Sequence, residues 1–445
     1  MTSRSPQTSN RPRLLQAGID AFQQPDIRRK IVFTVSMLLV FRFFAHVPVP
    51  GVDPERLRQT FDQNAILGFM NVFSGGALRN LSVVALGVYP FITASIIGQL
   101  GGNLVPRLRQ LQQEGEAGRA QVRRYMTYLT IPLAAFQGYA QLIVIQQLGG
   151  VSNIGFTGGA ALTTFATLFS LVAGTMFLVW LGELISENGI GNGTSIIIFG
   201  GIIAGLPTTL GQGALAGASG IRNLVILGAL TVAVVWLIVL FQEAQRRIPV
   251  QYARSTFRGG RMYRQQGQSH IPLRVNSVGM IPLIFAFSIM IFPPAVAQFV
   301  ATSVDVGWIR TVAEAVQNWM SPTQPLYWAV VFLLVVGFTF LYTTVVFQEQ
   351  NLAENLQRQG GFIPGIRPGR PTQEYITRVL TRITWGGAIF LGVVAVMPFL
   401  ATGLVNSTAV QVSAAGLLIV VGVVIDTMRQ LEAQMMMRNY EGFIS

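Results

Sequence analysis

Cysteine is absent, lysine occurs once and histidine twice in 445 residues. No disulfide or thiolate metal site can form, and His46 and His270 alone do not suggest a histidine metal centre. Charge is scarce as well. Asp, Glu, Lys and Arg make up 11% of the chain, about half the share of an ordinary soluble domain. The carboxylates are poorly placed for ion coupling, which usually needs one near mid-membrane. Glu183, Glu187, Glu243, Glu349 and Asp426 all fall near the ends of apolar runs. Away from those ends, Arg42 and His46 lie inside a run, and His46 is close to its outer end. No carboxylate pair and no Ser/His arrangement points to an enzyme. The stretch Gly189-Ile190-Gly191-Asn192-Gly193 has the glycines of a phosphate loop. It lacks the closing Gly-Lys-Ser/Thr and sits between two apolar runs, so a tight turn is the expectation. The chain carries no evident engine, and energy for any work must come from a partner.

What fills the chain instead is apolar: hydrophobic residues are 51%. A helix needs roughly 20 apolar residues to cross about 30 Å of hydrocarbon. Ten runs approach that length, at 31–49, 84–101, 125–147, 162–182, 194–213, 223–242, 277–300, 325–347, 383–402 and 412–428. A bilayer requires backbone bonds satisfied within each segment, so these runs predict helices. The first is not a cleaved signal peptide, being too long, without a small-residue cleavage site, and followed by nine more. The polar leader over 1–30 holds Leu15, Ile19 and Phe22 at helical spacing and ends in Arg28, Arg29 and Lys30. It reads as an amphipathic helix on the membrane surface, or equally as a solvated helix packed on nearby loops.

The 31 basic residues are unevenly spread. Seven lie in 246–274 and five in 358–382, two large interruptions of the apolar pattern. With the N-terminus inside, 25 basic residues fall on the inner side and five outside: Arg56, Arg58, Arg79, Arg222 and Arg310. That bias puts both termini in the cytoplasm. All but Lys30 are arginine, whose planar fork suits phosphate and carboxylate. The net charge of +13 therefore suits anionic lipid, ribosomal RNA or an acidic protein face. The loops 243–276 and 348–382 read as docking surfaces on one side of a bilayer.

Ten runs divide into two halves of five, 31–215 and 216–428, followed by a tail, 429–445. An odd number of spans gives the halves opposite topology. Val88-Tyr89-Pro90-Phe91-Ile92 opens the second run of one half, and Met280-Ile281-Pro282-Leu283-Ile284 that of the other. The fifth runs align Ser195-Ile196-Ile197-Ile198 with Gly416-Leu417-Leu418-Ile419. Inverted repeats enclose a functional site near the midplane, at their interface. The outside segment Pro50 to Gly87 is longer than a plain connection. Within it Ile66, Leu67, Phe69, Met70, Val72 and Phe73 form a stretch too short to span and too apolar for water. It reads as a re-entrant helix in a cavity, or as an interfacial helix.

Longer motifs sharpen this outline. The runs GTMFLVWLGE at 174–183 and ENGIGNG at 187–193 resemble the fourth and fifth helices of the SecY family, the central subunits of the Sec protein-conducting channel. So do QRRIPVQYAR at 245–254 and GFIPGIRPG at 361–369. HVPVPG at 46–51, FSGGAL at 73–78, EGEAGR at 114–119 and the tail over 434–441 fit in the same order. The resemblance covers nearly the whole chain.

It implies an all-α membrane protein of ten transmembrane helices. Two inverted five-helix halves form a clamshell around a central pore, hinged near the fifth and sixth helices, with a re-entrant plug near 63–79. The implied pore ring is Val88, Ile92, Thr194, Ile198, Ile284 and Ile419, although Thr194 departs from the apolar pattern. Each isoleucine could equally be an ordinary core residue. The implied plug residues are Phe69, Asn71, Phe73, Ser74, Gly75 and Gly76. A gate opening sideways to lipid would use Thr93, Ile96, Gln99, Asn276 and Phe292, with Asn276 also readable as a helix cap. Arg246, Arg247, Arg254, Arg367 and Arg370 occupy the docking positions, where positive-inside topology or anionic lipid contact is the plainer reading. The implied partners are SecE and SecG, the SecA motor ATPase, the translating ribosome with its RNA, signal sequences, unfolded polypeptides and anionic lipid. The implied setting is a prokaryotic plasma membrane, with no cofactor.

An apolar ring resists ions by dewetting and offers a passing chain no hydrogen bonds to hold it. Polar contacts from Asn276, Thr93 and Gln99 would hold a closed gate by about 0.6–2 kcal/mol each. Rival readings are an inverted-repeat secondary transporter and an intramembrane protease, and neither has its expected carboxylate or Ser/His pair.

Overall fold

The computed structural model describes residues 24–50, 74–147, 155, 160–215, 217–258, 261–276, 279, 281–303, 307–321, 324–350, 352–405 and 408–441. Ten long helices cover the ten apolar runs. They are α1 (Pro25–Phe44), α2 (Tyr89–Leu104), α4 (Glu116–Gln147), α5 (Ala160–Asn188), α6 (Gly193–Leu215), α7 (Gly217–Glu243), α8 (Ile281–Ser303), α10 (Pro325–Gln350), α12 (Arg370–Val405) and α13 (Thr408–Glu441). Short helices α3 (Pro106–Gln113), α9 (Gly307–Trp319) and α11 (Leu352–Arg358) lie between them. Among the described residues, Ala160–Asn188, Pro325–Val345 and Arg370–Met397 are long and apolar enough to cross a membrane on length and composition alone.

The two prolines that the repeat comparison aligned take the same structural place. Pro90 is the second residue of α2 and Pro282 the second of α8. A helix start leaves its first N–H groups unpaired, so proline loses nothing there. The paired helices also meet. The second long helix of each half, α2 and α8, pack together, and so do the fifth, α6 and α13. Contact between counterparts is what an inverted pair sharing one central axis produces.

The loop 245–274 is not an irregular turn. It folds as a hairpin of β1 (Gln245–Arg258) and β2 (Arg261–Arg274), in register from Gln245↔Arg274 to Arg258↔Arg261. A short strand, β3 (Gly361–Phe362), adds to β1 through Gln251↔Phe362 and Tyr252↔Gly361, giving the order β2-β1-β3. The two basic loops are therefore one body. Two helices also outrun their apolar stretches. Helix α12 starts at Arg370, inside the second basic loop, and α13 continues through the tail to Glu441.

One large apolar cluster joins both halves, drawing on α1, α2, α5, α6, α7, α8, α10, α12 and α13. A second packs Leu78, Leu81 and Leu86 against Leu142 and Leu171. A third lies under the sheet. A fourth joins Ile27 of α1, Ile190 of the turn and Leu431 of α13. That turn is the glycine stretch between α5 and α6, where Gly191 has φ +82°.

Candidate functional site

The site begins at the first turn of α2. The Val88 carbonyl accepts the Ile92 N–H at 3.0 Å, which stacks the two side chains one helical turn apart. Ile198 comes from α6, Ile284 from α8 and Ile419 from α13. All five are buried, and all five belong to the same apolar cluster. Four helices from both halves thus deliver one branched side chain or two each to a common dry region. Ile96, a turn beyond Ile92, is in it too. Thr194 sits half-buried in the first turn of α6, against α5, where a Cβ on Gly182 would lie 3.5 Å from its Oγ1. Sequence reasoning did not single out Leu178, Val234, Val335 or Leu391, which also belong to the cluster. In so apolar a chain no local signal separates them from lipid-facing residues.

Polar groups along the α2–α8 seam turn back on their own segments. Thr93 Oγ1 donates to the Tyr89 carbonyl at 3.1 Å, and Ser288 Oγ to the Ile284 carbonyl at 2.8 Å. This is the usual bond of a helical hydroxyl to the carbonyl four residues back. Asn276 precedes α8 and is buried. Its Nδ2 donates to the Gly279 carbonyl at 3.1 Å, while its Oδ1 has no partner among the described residues. Gln99 is half-buried on α2. Phe292 lies on α8, with its side chain outside the described residues.

Of the plug candidates, Phe69, Asn71 and Phe73 lie outside the described residues. Ser74, Gly75 and Gly76 open a run of tight turns that leads into α2. Ser74 is buried, and its Oγ accepts the Leu78 N–H at 3.0 Å. Gly75 has φ +69°, and a Cβ there would lie 2.4 Å from the Cα of Gly201 on α6. Only glycine meets both demands. Arg42 of α1 donates to the Gly75 carbonyl at 2.6 Å. The sequence marked Arg42 as anomalous within a span, but nothing in it named the partner. The following segment is pinned by Val49 N–H to the Leu81 carbonyl and Val83 N–H to the Val47 carbonyl, each at 3.0 Å.

The basic loops form a platform. Ile248 and Val250 of β1 and Leu273 of β2 point inward onto Leu356, Ile363, Ile376 and Val379. Arg246, Arg247, Arg367 and Arg370 are exposed. Arg254 lies opposite Gln265 in the ladder, and its side chain falls outside the described residues. A Cβ on Gly361 would lie 2.8 Å from Tyr252 Cε1, so glycine lets β3 close on β1. Arg367 sits in a held turn. Its carbonyl accepts Thr372 Oγ1 at 2.8 Å, and the Ile366 N–H reaches the Ile363 carbonyl at 3.0 Å. Arg370 and Glu374 approach to 3.4 Å at the surface, which adds little stability. Behind the platform, Arg429 of α13 donates to the Gln242 carbonyl of α7. Burial lowers the Arg429 pKa, helped by Arg274 and opposed by Asp426, Glu243 and Glu432.

A helical body of two matched halves, an apolar seam between them and a basic platform at one end fit a multi-pass membrane channel. The comparisons give the family. The SecY family profile matches residues 82–428. The SecY subunit of the protein translocase of Streptomyces galbus is 41% identical over 97% of this chain and the whole of that one. That of Halalkalibacterium halodurans is 42% identical over 95% of this chain and 98% of its own, and that of Thermotoga maritima 39% over 96% and 97%. The chain belongs to the SecY family. In fold it is similar to a solved SecY whose plug domain stabilises the closed translocation channel, with a TM-score of 0.59 and 17% identity over 91% of this chain and 92% of that one. It is also similar to Sec61 in the canine ribosome–channel complex, with a TM-score of 0.59 and 15% identity over the same shares.

Proposed function

We propose that this SecY-family chain lines the protein-conducting channel of a prokaryotic plasma membrane, with ten spans and both termini cytoplasmic. Secretory polypeptides pass through the centre, and transmembrane segments leave sideways between α2 and α8. One observation carries the reading: Val88, Ile92, Ile198, Ile284 and Ile419 converge from both halves on one dry cluster. Branched apolar side chains exclude ions by dewetting and can yield to a passing chain by rotamer and helix shifts. Thr194, half-buried in the first turn of α6, is the one polar residue proposed for the ring. Ser74 to Gly76 serve as the inner hinge of a plug formed by the segment before them.

The platform is the docking side. Arg246, Arg247, Arg254, Arg367 and Arg370 would meet a motor ATPase of the SecA kind or the ribosome, including its RNA phosphates. The joining of both loops in one sheet supports this, because a rigid surface loses less entropy on binding. SecE and SecG would complete the complex, and signal sequences would enter the seam.

The test is reconstitution with SecE and SecA in vesicles. Preprotein should become protease-protected with the wild-type chain, ATP and motor together. A chain that assembles and yet protects no preprotein, while carrying a small solute, would sink the reading in favour of a transporter.

A further inference from the structure

Helix α9 crosses nothing and belongs to neither the seam nor the platform. Its thirteen residues divide into three faces. One face packs on α8 and carries buried Ala313 with half-buried Ile309 and Val316. Another is polar: Arg310 Nε and Glu314 Oε1 pair at 2.9 Å in the open, and Gln317 and Asn318 lie alongside. The third is apolar and uncovered. Trp308 is 70% exposed, Val312 56% and Trp319 63%. With Ala315 these four fall within an arc of about 60° at 3.6 residues per turn. Each indole presents 150–250 Å² or so of mostly apolar surface. An amphipathic helix folded for water would turn this stripe inward.

We propose that α9 docks on the bilayer surface opposite the basic platform, with Trp308, Val312 and Trp319 seated at the boundary between headgroups and acyl chains. Three observations fit lipid rather than protein. Helix α8 starts near the platform and runs 23 residues, about 35 Å at 1.5 Å each, which carries α9 to the far face of the membrane. Helix α10 follows, and its Leu326 at 48% and Leu333 at 67% exposed are uncovered apolar side chains too. Both ends of the stripe are indoles, whose apolar ring and N–H favour the headgroup level. The only two charged groups of α9 pair with each other, so attachment is apolar and indifferent to lipid charge. Docked in this way, α9 fixes the far end of α8 at a set depth.

The chain has no cysteine, which permits a direct test. Val312→Cys and, separately, Glu314→Cys are labelled with an environment-sensitive fluorophore in the whole complex and placed in vesicles. Neutral and anionic phosphatidyl lipids are compared, with doxyl groups carried at shallow or deep acyl positions. The Val312→Cys probe should emit further to the blue than the Glu314→Cys probe. It should be quenched several-fold more by shallow than by deep doxyl groups, equally in both lipids, and be protected from iodide. The Glu314→Cys probe should be quenched by iodide. Iodide access at Val312→Cys would overturn the proposal by showing a wet face. A blue-shifted probe that no doxyl lipid quenches would overturn it in favour of a protein partner. Stronger deep than shallow quenching would overturn the interfacial depth.

Discussion

Replacing Arg42 by methionine removes the bond from its guanidinium to the Gly75 carbonyl, at 2.6 Å, while keeping an apolar stem of similar length. A hydrogen bond to a charged group contributes about 1.5–3 kcal/mol net. Arg42 is half-buried, so water competes and the low end applies. If the bond exists only while the plug hinge is seated, its loss moves the seated-to-open ratio by about tenfold, since 1.4 kcal/mol is one decade. The assay is resting ion conductance of the whole complex in planar bilayers, without motor or substrate. Arg42→Met should raise open probability by roughly an order of magnitude in a complex that still assembles. Gly201→Ala reaches the same hinge without touching charge, because its new Cβ would lie 2.9 Å from the Gly75 Cα. It should raise conductance too. Wild-type conductance in both variants would refute the hinge argument. A rise in Arg42→Met alone would mean that the charge, not the seat of Gly75, sets the leak.

Ile92→Asn or Ile284→Asn places an amide in the dry cluster. Resting conductance should rise several-fold, and substrates with weak signal sequences should be exported more readily; unchanged conductance in both would locate the constriction elsewhere. Arg367→Glu reverses the exposed charge of the held turn and should cut motor-driven export about tenfold or more, with the complex still assembled by size-exclusion chromatography. Wild-type export rates would remove Arg367 from the docking surface. Thr93→Cys with Phe292→Cys makes the only thiol pair in the chain, and a direct disulfide needs Cα atoms within about 7 Å. Oxidation should stop translocation and reduction should restore it; cross-linking without loss of transport would show that the seam need not part there.

The ten long helices were legible because apolar runs of near-bilayer length have few other uses. The alignment of Ile92 with Ile284 and of Ile198 with Ile419 came from an aligned proline and aliphatic residues that kept the repeat's register, and all four belong to one apolar cluster. The hairpin was not. Ile248 and Val250 alternate with Arg247 and Pro249, but two buried residues amid seven arginines give a faint period-two signal. The apolar partners that bury them, Leu356 and Ile376, lie about a hundred positions away. The join between loops depended on a missing side chain at Gly361, which no periodicity marks. The local bond of Thr93 was equally hidden, since a sequence shows a polar side chain but not where it spends its proton.

That last point bears on which seam can part. At the α6–α13 side the halves are tied near the platform end. Ile27 and Ile190 form a common apolar knot with Leu431 of α13, and Lys30 Nζ reaches Gln434 Oε1 at 3.4 Å. Across α2 and α8, Thr93, Ser288 and Asn276 bond within their own segments, so parting those helices breaks none of these bonds. Among the described residues, the contact that Ile92, Ile96, Leu283 and Ile284 contribute to the apolar cluster is aliphatic. Exposing one such side chain to water costs roughly 1.5–3 kcal/mol, which keeps the seam shut against solvent. Lipid tails are as apolar as leucine, and an arriving signal helix is too, so neither imposes that penalty. The same surface therefore adheres when the alternative is water and releases when the alternative is hydrocarbon. Interhelical hydrogen bonds at α2–α8 would have lost this discrimination, because they would resist lipid and water alike.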